Sequence, residues 1–490
     1  MVWLSLDKTL GESLTRQVYL QIRKQILSGD LKRQAKLPST RLLSSELSVS
    51  RNVVIEAYEQ LLAEGFIEAK QGSGTYVAGG AYLEKGEAKG VRTRVPEKVV
   101  AVQRDIIDFR PGVPGLDLFN SNKWARLAQR VYQDASVSSF DYQAPEGIAK
   151  LREELAAYLQ RSRGINCHGD QIIITTGATQ AFVLLAKLFL ADGDEIIMED
   201  PTSLHFPAIF AGRGAFPHFL PVDDEGLVTE LLPADKKPKL IFVTPSHQFP
   251  LGGILPVQRR IQLICYAREK GCFIVEDDYD SEFRFTGPPL SSLHELDPEH
   301  VFYVGTFSKA LIPALRMGYM VLPEAFVEKC REIKRFQDIH TPALEQLILA
   351  KYIEEGMLER QIRRVKKIYR QRRDVLIQSL SDAFTDQVAF YGITTGLHLV
   401  AEFKGISLND ILLERLKEAG VQIYPVESYS FKKGLHQGKA VMGFANLSLE
   451  KITEGVRRMQ TTIVGQVGQS GTRGQVPCPK KGKRGSLVND

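Results

Sequence analysis

Cysteine is scarce and unpatterned: Cys167, Cys265, Cys272, Cys330 and Cys478 are the five in 490 residues, with no CxxC pair. That spacing disfavours a zinc site and a disulfide framework, and it fits a reducing compartment. Long apolar runs are missing too. The stretch Phe182 to Leu190 is broken by Lys187 and falls well short of the ~20 residues that span a bilayer. The opening MVWLSLDKTLGESL carries acidic residues where a secretory leader needs a basic and then an apolar segment. A cytoplasmic protein with no membrane partner is expected. Charge of one sign is weak: 63 Lys and Arg against 58 Asp and Glu leave +5. In a chain this long that does not identify a nucleic-acid binder, so any such reading must come from local motifs. No repeat of solenoid length occurs.

What is present is an ordinary globular composition, 43% hydrophobic and 25% charged, long enough for two or more domains. The segment 79–104 mixes glycine, charge and a proline without sustained periodicity, as a linker does. Before it, residues 1–78 are dominated by helical patterns. After it, over 105–466, short apolar runs alternate with helix-sized stretches: QIIITTG, DEIIMED, KLIFVTP, CFIVEDD and VFYVGTF. That alternation predicts an α/β domain with a mainly parallel sheet. Residues 467–490 offer almost no apolar side chain to a core and are expected to form a disordered basic tail.

In the N-terminal unit Leu14, Val18, Ile22 and Ile26 recur at helical spacing, and the helix should end near Ser28-Gly29-Asp30. Ser39 can cap a second helix over Thr40 to Leu47. A third, after SVS, should bury Val54, Ala57, Tyr58, Leu61 and Leu62 and end at Gly65. FIEAKQGSGTYV then supplies two short strands around Gly72-Ser73-Gly74. The ordered run LPSTRLLSSELSVSRNVVIEAYEQLLAEGFIEAKQGSGTYV resembles the winged helix of the GntR superfamily. The resemblance implies double-stranded operator DNA as partner, with Ser39 and Arg41 at phosphates and groove edges and with Ser50, Arg51 and Asn52 opening the recognition helix. Residues there reach base edges in the major groove. Lys70 and Gly72 belong to the wing, where a cation and a glycine permit close approach to the phosphate backbone. A bare interaction or dimerisation module is the competing reading. Charge leans that way, since ten Lys and Arg against eight Asp and Glu leave residues 1–78 with only +2. Motif order favours DNA.

In the large domain GTFSKALIPALRMGYMVLP follows a strand and suits a phosphorylated aldehyde. Lys309 would be the imine-forming amine, Thr306 and Ser308 would donate to the phosphate, and Arg316 would add a charged contact. IIITTGATQAFVLLAKLF reads as strand, glycine turn and helix start, which makes Gly177, Ala178 and Thr179 a candidate phosphate cradle. CFIVEDDYDSEFRF ends a strand with acids, where open α/β sheets bind ligands. Asp277 would keep a pyridine nitrogen protonated and Tyr279 would hydrogen-bond the ring's phenolate oxygen. These acids could otherwise be solvated or hold a metal, but with no His or Cys nearby in sequence no metal is expected.

Together GATQ, EDDYDSEF and GTFSKALIPALRMGY stand in the order and approximate spacing of fold-type I aminotransferases. Joined to the winged helix, the chain resembles the MocR/GabR family of bacterial transcription regulators. That resemblance implies a large pyridoxal 5′-phosphate domain with a smaller C-terminal α+β subdomain. It also implies a small-molecule effector, either pyridoxal phosphate itself or an amino compound, and a head-to-tail homodimer.

Two departures bear on the ligand. TPSHQFPLGG has Phe249 where ordinary aminotransferases have asparagine, so Gln248 or His247 is expected to approach the cofactor instead. EDPTSLHF has Ser203 and His205 where GabR-like members carry a tyrosine and an arginine, and Asn446 falls where an arginine would clamp a carboxylate. Neutral side chains do not replace a guanidinium fork. Arg110 and Arg284 are the alternatives for that duty. A sensor without turnover is expected, against a rival reading as a working aminotransferase with an accessory winged helix.

Overall fold

The computed structural model describes residues 4–7, 11–81 and 106–470. The chain divides near residue 101 into two compact units, and each is described by itself. Most of the expected linker, and the tail beyond residue 470, lie outside the described residues.

The first unit contains α1 (Leu14–Leu27), α2 (Thr40–Glu46) and α3 (Arg51–Ala63), then β1 (Ile67–Lys70) and β2 (Gly74–Val77). Val18, Ile22 and Ile26 of α1 are fully buried against Val54, Ala57, Tyr58 and Leu61 of α3. Leu62, expected in that stripe, is instead 37% exposed, because one further residue turns the side chain about 100° from its neighbour on a helix. The Ser39 hydroxyl accepts from the Leu42 N–H at 3.2 Å and so caps α2. Tyr58 donates to the Pro38 carbonyl at 3.0 Å, tying α3 to the turn that enters α2. β1 and β2 pair antiparallel with Lys70 opposite Gly74. Gly72 takes the turn at φ +74°, where a Cβ would be strained.

The second unit opens with β3 (Ile107–Asp108) and continues through β4 (Ile172–Thr175), β5 (Glu195–Asp200), β6 (Phe216–Asp223), β7 (Gly226–Leu227), β8 (Leu240–Val243), β9 (Phe273–Asp278), β10 (Val301–Thr306) and β11 (Gly318–Val321). β4 to β11 form one sheet in the order β4-β11-β10-β9-β8-β5-β6-β7. It is parallel except at β11 and β7. All five apolar runs singled out in the sequence are strands of this sheet. They read as continuous apolar stretches because helices cover both faces. Val275, Phe302 and Met320 pack on one side with Phe182 and Leu185, while Ile241 and Ile274 pack on the other with Leu263. Each such fully buried side chain contributes about 1.5–3 kcal/mol.

A long helix, Met357–Phe384, leads to β12 (Val388–Tyr391), β13 (His398–Phe403), β14 (Val421–Gln422), β15 (Tyr424–Pro425) and β16 (Lys439–Gly443). Four of them form an antiparallel sheet in the order β12-β13-β16-β15, and β14 pairs parallel with β3. The first strand of the unit is thus held by its last third. The final helix, Leu449–Ser470, buries Ile452, Val456, Met459 and Ile463. It runs to Ser470, beyond the tail boundary at 467 expected from the sequence. Among the described residues no helix is long and apolar enough to cross a membrane.

Candidate functional site

β4, β9 and β10 share a direction, and a cavity of about 460 Å³ opens at their carboxyl ends. Eight of the nine residues proposed from sequence for a phosphorylated aldehyde line it: Ala178, Thr179, Asp277, Tyr279, Thr306, Ser308, Lys309 and Arg316. The ninth, Gly177, stands directly behind Arg316.

The four-residue helix Phe307–Ala310 follows β10 without a loop, capped by Thr306, whose Oγ1 accepts from the Ser308 N–H at 3.2 Å. The same hydroxyl donates to Ser308 Oγ at 3.1 Å. Lys309 faces the cavity and its Nζ donates to the Gly112 carbonyl. Burial pushes this amine below its usual range, against the pull of Asp280 and Asp277 and with help from Arg110 and Arg316. A depressed amine is more often neutral and nucleophilic near neutrality.

Successive residues of a strand face opposite ways, and the acids that end β9 divide accordingly. Asp277 lines the cavity, whereas Asp278 lies beneath the sheet, ion-paired to Arg163 at 2.8 Å and accepting from the Tyr303 hydroxyl. Burial, with Asp278 and Asp280 close by, raises the Asp277 carboxyl well above the ordinary carboxylate range. A cation delivered to its side of the cavity would reverse that shift.

Arg316 adopts a left-handed backbone at φ +49° and donates from Nη2 to the Thr176 carbonyl at 2.7 Å. A Cβ on Gly177 would lie 2.9 Å from that nitrogen. The guanidinium therefore sits against the turn that starts the helix Ala178–Phe189, whose N-terminus favours an anion.

The TPSHQFP segment is arranged differently from expectation. Gln248 is fully buried and spends its amide on the Pro201 and Phe249 carbonyls and the Leu251 N–H, and it lies outside the cavity wall. His247 is also off the wall, and Phe249 is the residue that lines it. Two facts explain the difference: an amide with three backbone partners is too well satisfied to turn outward, and the Tyr279 hydroxyl donates to the His247 carbonyl at 3.0 Å. Beside Gln248, Glu199 is buried, accepts from Thr244 Oγ1 at 2.6 Å, and is pushed up to about 7 by burial.

The fold also corrects the expectation that no histidine stands near the acids. His247 Nδ1 lies 2.9 Å from Asp280, and the His398 ring lies tilted beside it at 4.7 Å between ring centroids. These three residues bring ligand-capable atoms within 4.8 Å of one another. The histidines are 151 positions apart in sequence, so no spacing motif could announce them. Burial, then His247, holds His398 well below the usual histidine range.

Ser203, His205 and Phe206 line the cavity; Asn446 and Arg284 do not. Arg110, Tyr424 and Tyr429 complete the wall opposite the sheet. The two tyrosines were missed in sequence because they come from the strand and turn after residue 420, far from every motif.

In the first unit Ser39, Arg41, Ser50, Arg51, Asn52, Lys70 and Gly72 are all exposed. Ser50 precedes α3 without a side-chain cap bond, leaving its hydroxyl open. Arg51 Nε lies 3.4 Å from Thr40 Oγ1, linking the starts of α3 and α2. On the wing, Lys70 Nζ sits 5.0 Å from the Tyr76 ring centre and Lys36 Nζ 5.8 Å from it. Lys36 was not anticipated; its bridge to Tyr76 brings it there.

Residues 14–77 match the bacterial regulatory proteins of the gntR family, and residues 104–459 match aminotransferase class I and II. The chain is 32% identical over 477 residues to the probable rhizopine catabolism regulatory protein MocR of Rhizobium meliloti, covering 94% of this chain and 96% of that one. The chain belongs to the MocR-type GntR regulators. Within that family the pyridoxine biosynthesis regulator PdxR of Corynebacterium glutamicum is 31% identical over 434 residues, 89% of this chain and 92% of PdxR. Among solved structures, α-aminoadipate aminotransferase LysN of Thermus thermophilus, complexed with N-(5′-phosphopyridoxyl)-L-leucine, is 28% identical with a TM-score of 0.68. That match covers 75% of this chain and 94% of LysN. A MocR-type regulator thus carries a GntR helix-turn-helix domain fused to an aminotransferase-like domain of fold type I.

Proposed function

We propose that this MocR-type regulator binds pyridoxal 5′-phosphate at Lys309, grips operator DNA with α2, α3 and the wing, and senses either pyridoxal phosphate itself or an amino compound. The observation that carries the reading is the convergence of Lys309, Asp277, Tyr279 and Arg316 on one cavity. The residues suit the group: a depressed amine, a guanidinium at a helix N-terminus, and a buried carboxyl with no hydrogen-bond partner among the described residues. When bound, the cofactor supplies an aldehyde that condenses with primary amines and a ring that withdraws electrons.

Around that ring the chain's own groups have separate tasks. Arg316 with the Ala178 and Thr179 turn would hold the phosphate, and Thr306 and Ser308 would add hydroxyls. Asp277 would keep a proton on the ring nitrogen, Tyr279 would hydrogen-bond the ring's oxygen, and Phe206 and His205, on the same wall, would shield the ring from water. A working aminotransferase is the second reading, favoured by the likeness to LysN. Against it stand His205 and Asn446 where guanidinium groups were expected, since turnover demands repeated alignment of the substrate.

The exposed apolar side chains Val137, Phe140 and Tyr142 support a homodimer, expected head-to-tail. Tyr142 packs edge-on to His340, and Phe336 and Ile339 lie along the same groove as Gln143. A cytoplasmic location accords with a DNA-bound regulator. Footprinting on the chain's own upstream region, with and without pyridoxal phosphate and amines, tests the regulatory reading. A footprint indifferent to all of them would refute sensing. Transamination at about 1 per second or faster, with 2-oxoglutarate or pyruvate as acceptor, would favour the enzyme.

A further inference from the structure

We infer that the effector of this cavity is a primary amine with an uncharged aromatic body and no carboxylate, its ring seated against Phe249 and Tyr429. The inference rests on the proposed cofactor site and names the class of amine that the site accepts.

Phe249 stands where the sequence departs from ordinary aminotransferases, and it lines the cavity. Its ring is met nearly edge to face by three neighbours: Tyr429 at 5.1 Å between ring centres and 88°, His398 at 5.4 Å and 70°, and Tyr279 at 6.3 Å and 83°. A ring held from three sides presents a fixed apolar surface. Phe249 and Tyr429 are both only partly buried, so each still offers ring surface to the cavity. The Tyr429 hydroxyl is pushed up to about 12, by burial first, and so carries no charge near neutrality. Tyr424, on the same wall, spends its hydroxyl on Asp108 at 3.0 Å and leaves the cavity its ring.

The same cavity has no prepared seat for a carboxylate. Arg316 is committed to the Thr176 carbonyl on the phosphate side. The Arg110 guanidinium is exposed, and its charge is drawn to Asp108. Arg284 and Asn446 are both off the wall, and Asn446 spends its amide on the Asp108 carbonyl at 3.1 Å. His398, packed against Phe249, is kept neutral by burial, so no cation backs that ring. A carboxylate brought against Phe249 would lose water and gain no partner, whereas an aromatic ring would exchange water for Phe249 and Tyr429. Lys309 would give way to the incoming nitrogen at the cofactor carbon, one carbon–nitrogen bond forming as the other breaks. It would leave with the proton that the incoming ammonium gives up, so no oxidant or reductant is consumed.

The test uses the full chain loaded with pyridoxal phosphate and titrated with phenethylamine, ethylamine and L-phenylalanine; the change in visible absorbance gives each affinity. Each value is divided by that for free pyridoxal phosphate in the same buffer, which removes the differing basicities of the amines. Phenethylamine should exceed both comparators by about 10-fold or more, through ring contact in one case and the unseated carboxylate in the other. Phe249→Asn and Tyr429→Ala should each cut its lead over ethylamine to about 3-fold or less. Borohydride reduction of the same samples reports cofactor content, and where a variant fails to hold the cofactor the three wild-type affinities decide. A phenethylamine value no higher than that of ethylamine or of L-phenylalanine, or a lead over ethylamine that survives both substitutions, overturns the assignment. A wild-type chain that forms no borohydride-reducible adduct with pyridoxal phosphate would instead sink the cofactor reading beneath it.

Discussion

Gly177 and Arg316 are packed so closely that an alanine methyl at 177 would meet Nη2 at 2.9 Å, on a backbone at φ +99° that L-residues rarely adopt. Gly177→Ala should therefore displace the guanidinium and weaken cofactor binding in the same direction as Arg316→Ala. Loss of a charge-assisted contact to phosphate corresponds to about 1.5–3 kcal/mol. Equilibrium dialysis of pyridoxal phosphate measures it, and an unchanged dissociation constant in Arg316→Ala would remove the phosphate role.

Lys309→Ala should leave no borohydride-reducible adduct and no visible absorbance band, since no other lysine lines the cavity. Peptide mapping of the reduced wild-type chain should place the label on Lys309. An adduct that persists in the variant would assign the link elsewhere.

Asp277 and Asp278 are neighbours in sequence with opposite expected phenotypes. Asp278→Asn strips the charge that faces Arg163 and should cost roughly 3–5 kcal/mol, as other broken buried pairs do. Asp277→Asn should change stability little and lower cofactor retention. Denaturant midpoints together with bound-cofactor content separate the two, and equal destabilisation by both would contradict the division of β9 between the faces of the sheet.

Glu199 supplies a pH signature. Its folded carboxyl holds a proton until about pH 7, whereas in the unfolded chain it ionises near pH 4.3. A raised acid destabilises the fold progressively as pH climbs through that window and not below it. Relative to Glu199→Gln, the wild-type chain should lose up to about 3 kcal/mol between pH 4.5 and pH 7.5. Unfolding curves of both chains at the two pH values check this, and a gap that does not change with pH would show that Glu199 ionises normally.

On DNA, Arg51→Ala should weaken operator binding by about 1–3 kcal/mol and random DNA much less, as expected of a base-reading residue. Lys70→Ala should weaken both alike and reduce the salt slope by about 1. Fluorescence anisotropy at several salt concentrations distinguishes them. Equal losses on both DNAs for Arg51→Ala would take it out of the base-reading set.

Legibility followed the range of the contacts. Lys309, Thr306 and Ser308 could be read because one strand and the turn after it carry all three, and Ser39 because a cap acts over three residues. The alternation of Glu276, Asp277 and Asp278 was legible in principle, since β-strand geometry sets it. The His247–Asp280–His398 cluster was not, because only the completed fold joins segments so far apart. Gln248 misled for a related reason: its chemistry suited a ligand, but its three backbone partners are invisible until the chain folds. Leu62 shows the local limit, where a single extra residue in an apolar stripe changes which side of a helix it occupies.

Gly177, Gly396 and Gly443 contribute no chemistry, yet added methyl groups would collide with the Arg316 guanidinium, the His247 ring and the Arg110 carbonyl in turn. The cavity wall and the packing behind it are therefore specified partly by side chains that are missing. A diverging copy of this gene product could retain Lys309, Asp277, Tyr279 and Arg316 unaltered and still lose the shape of this cavity through one gained methyl. An inventory of reactive groups alone would score such a copy as intact.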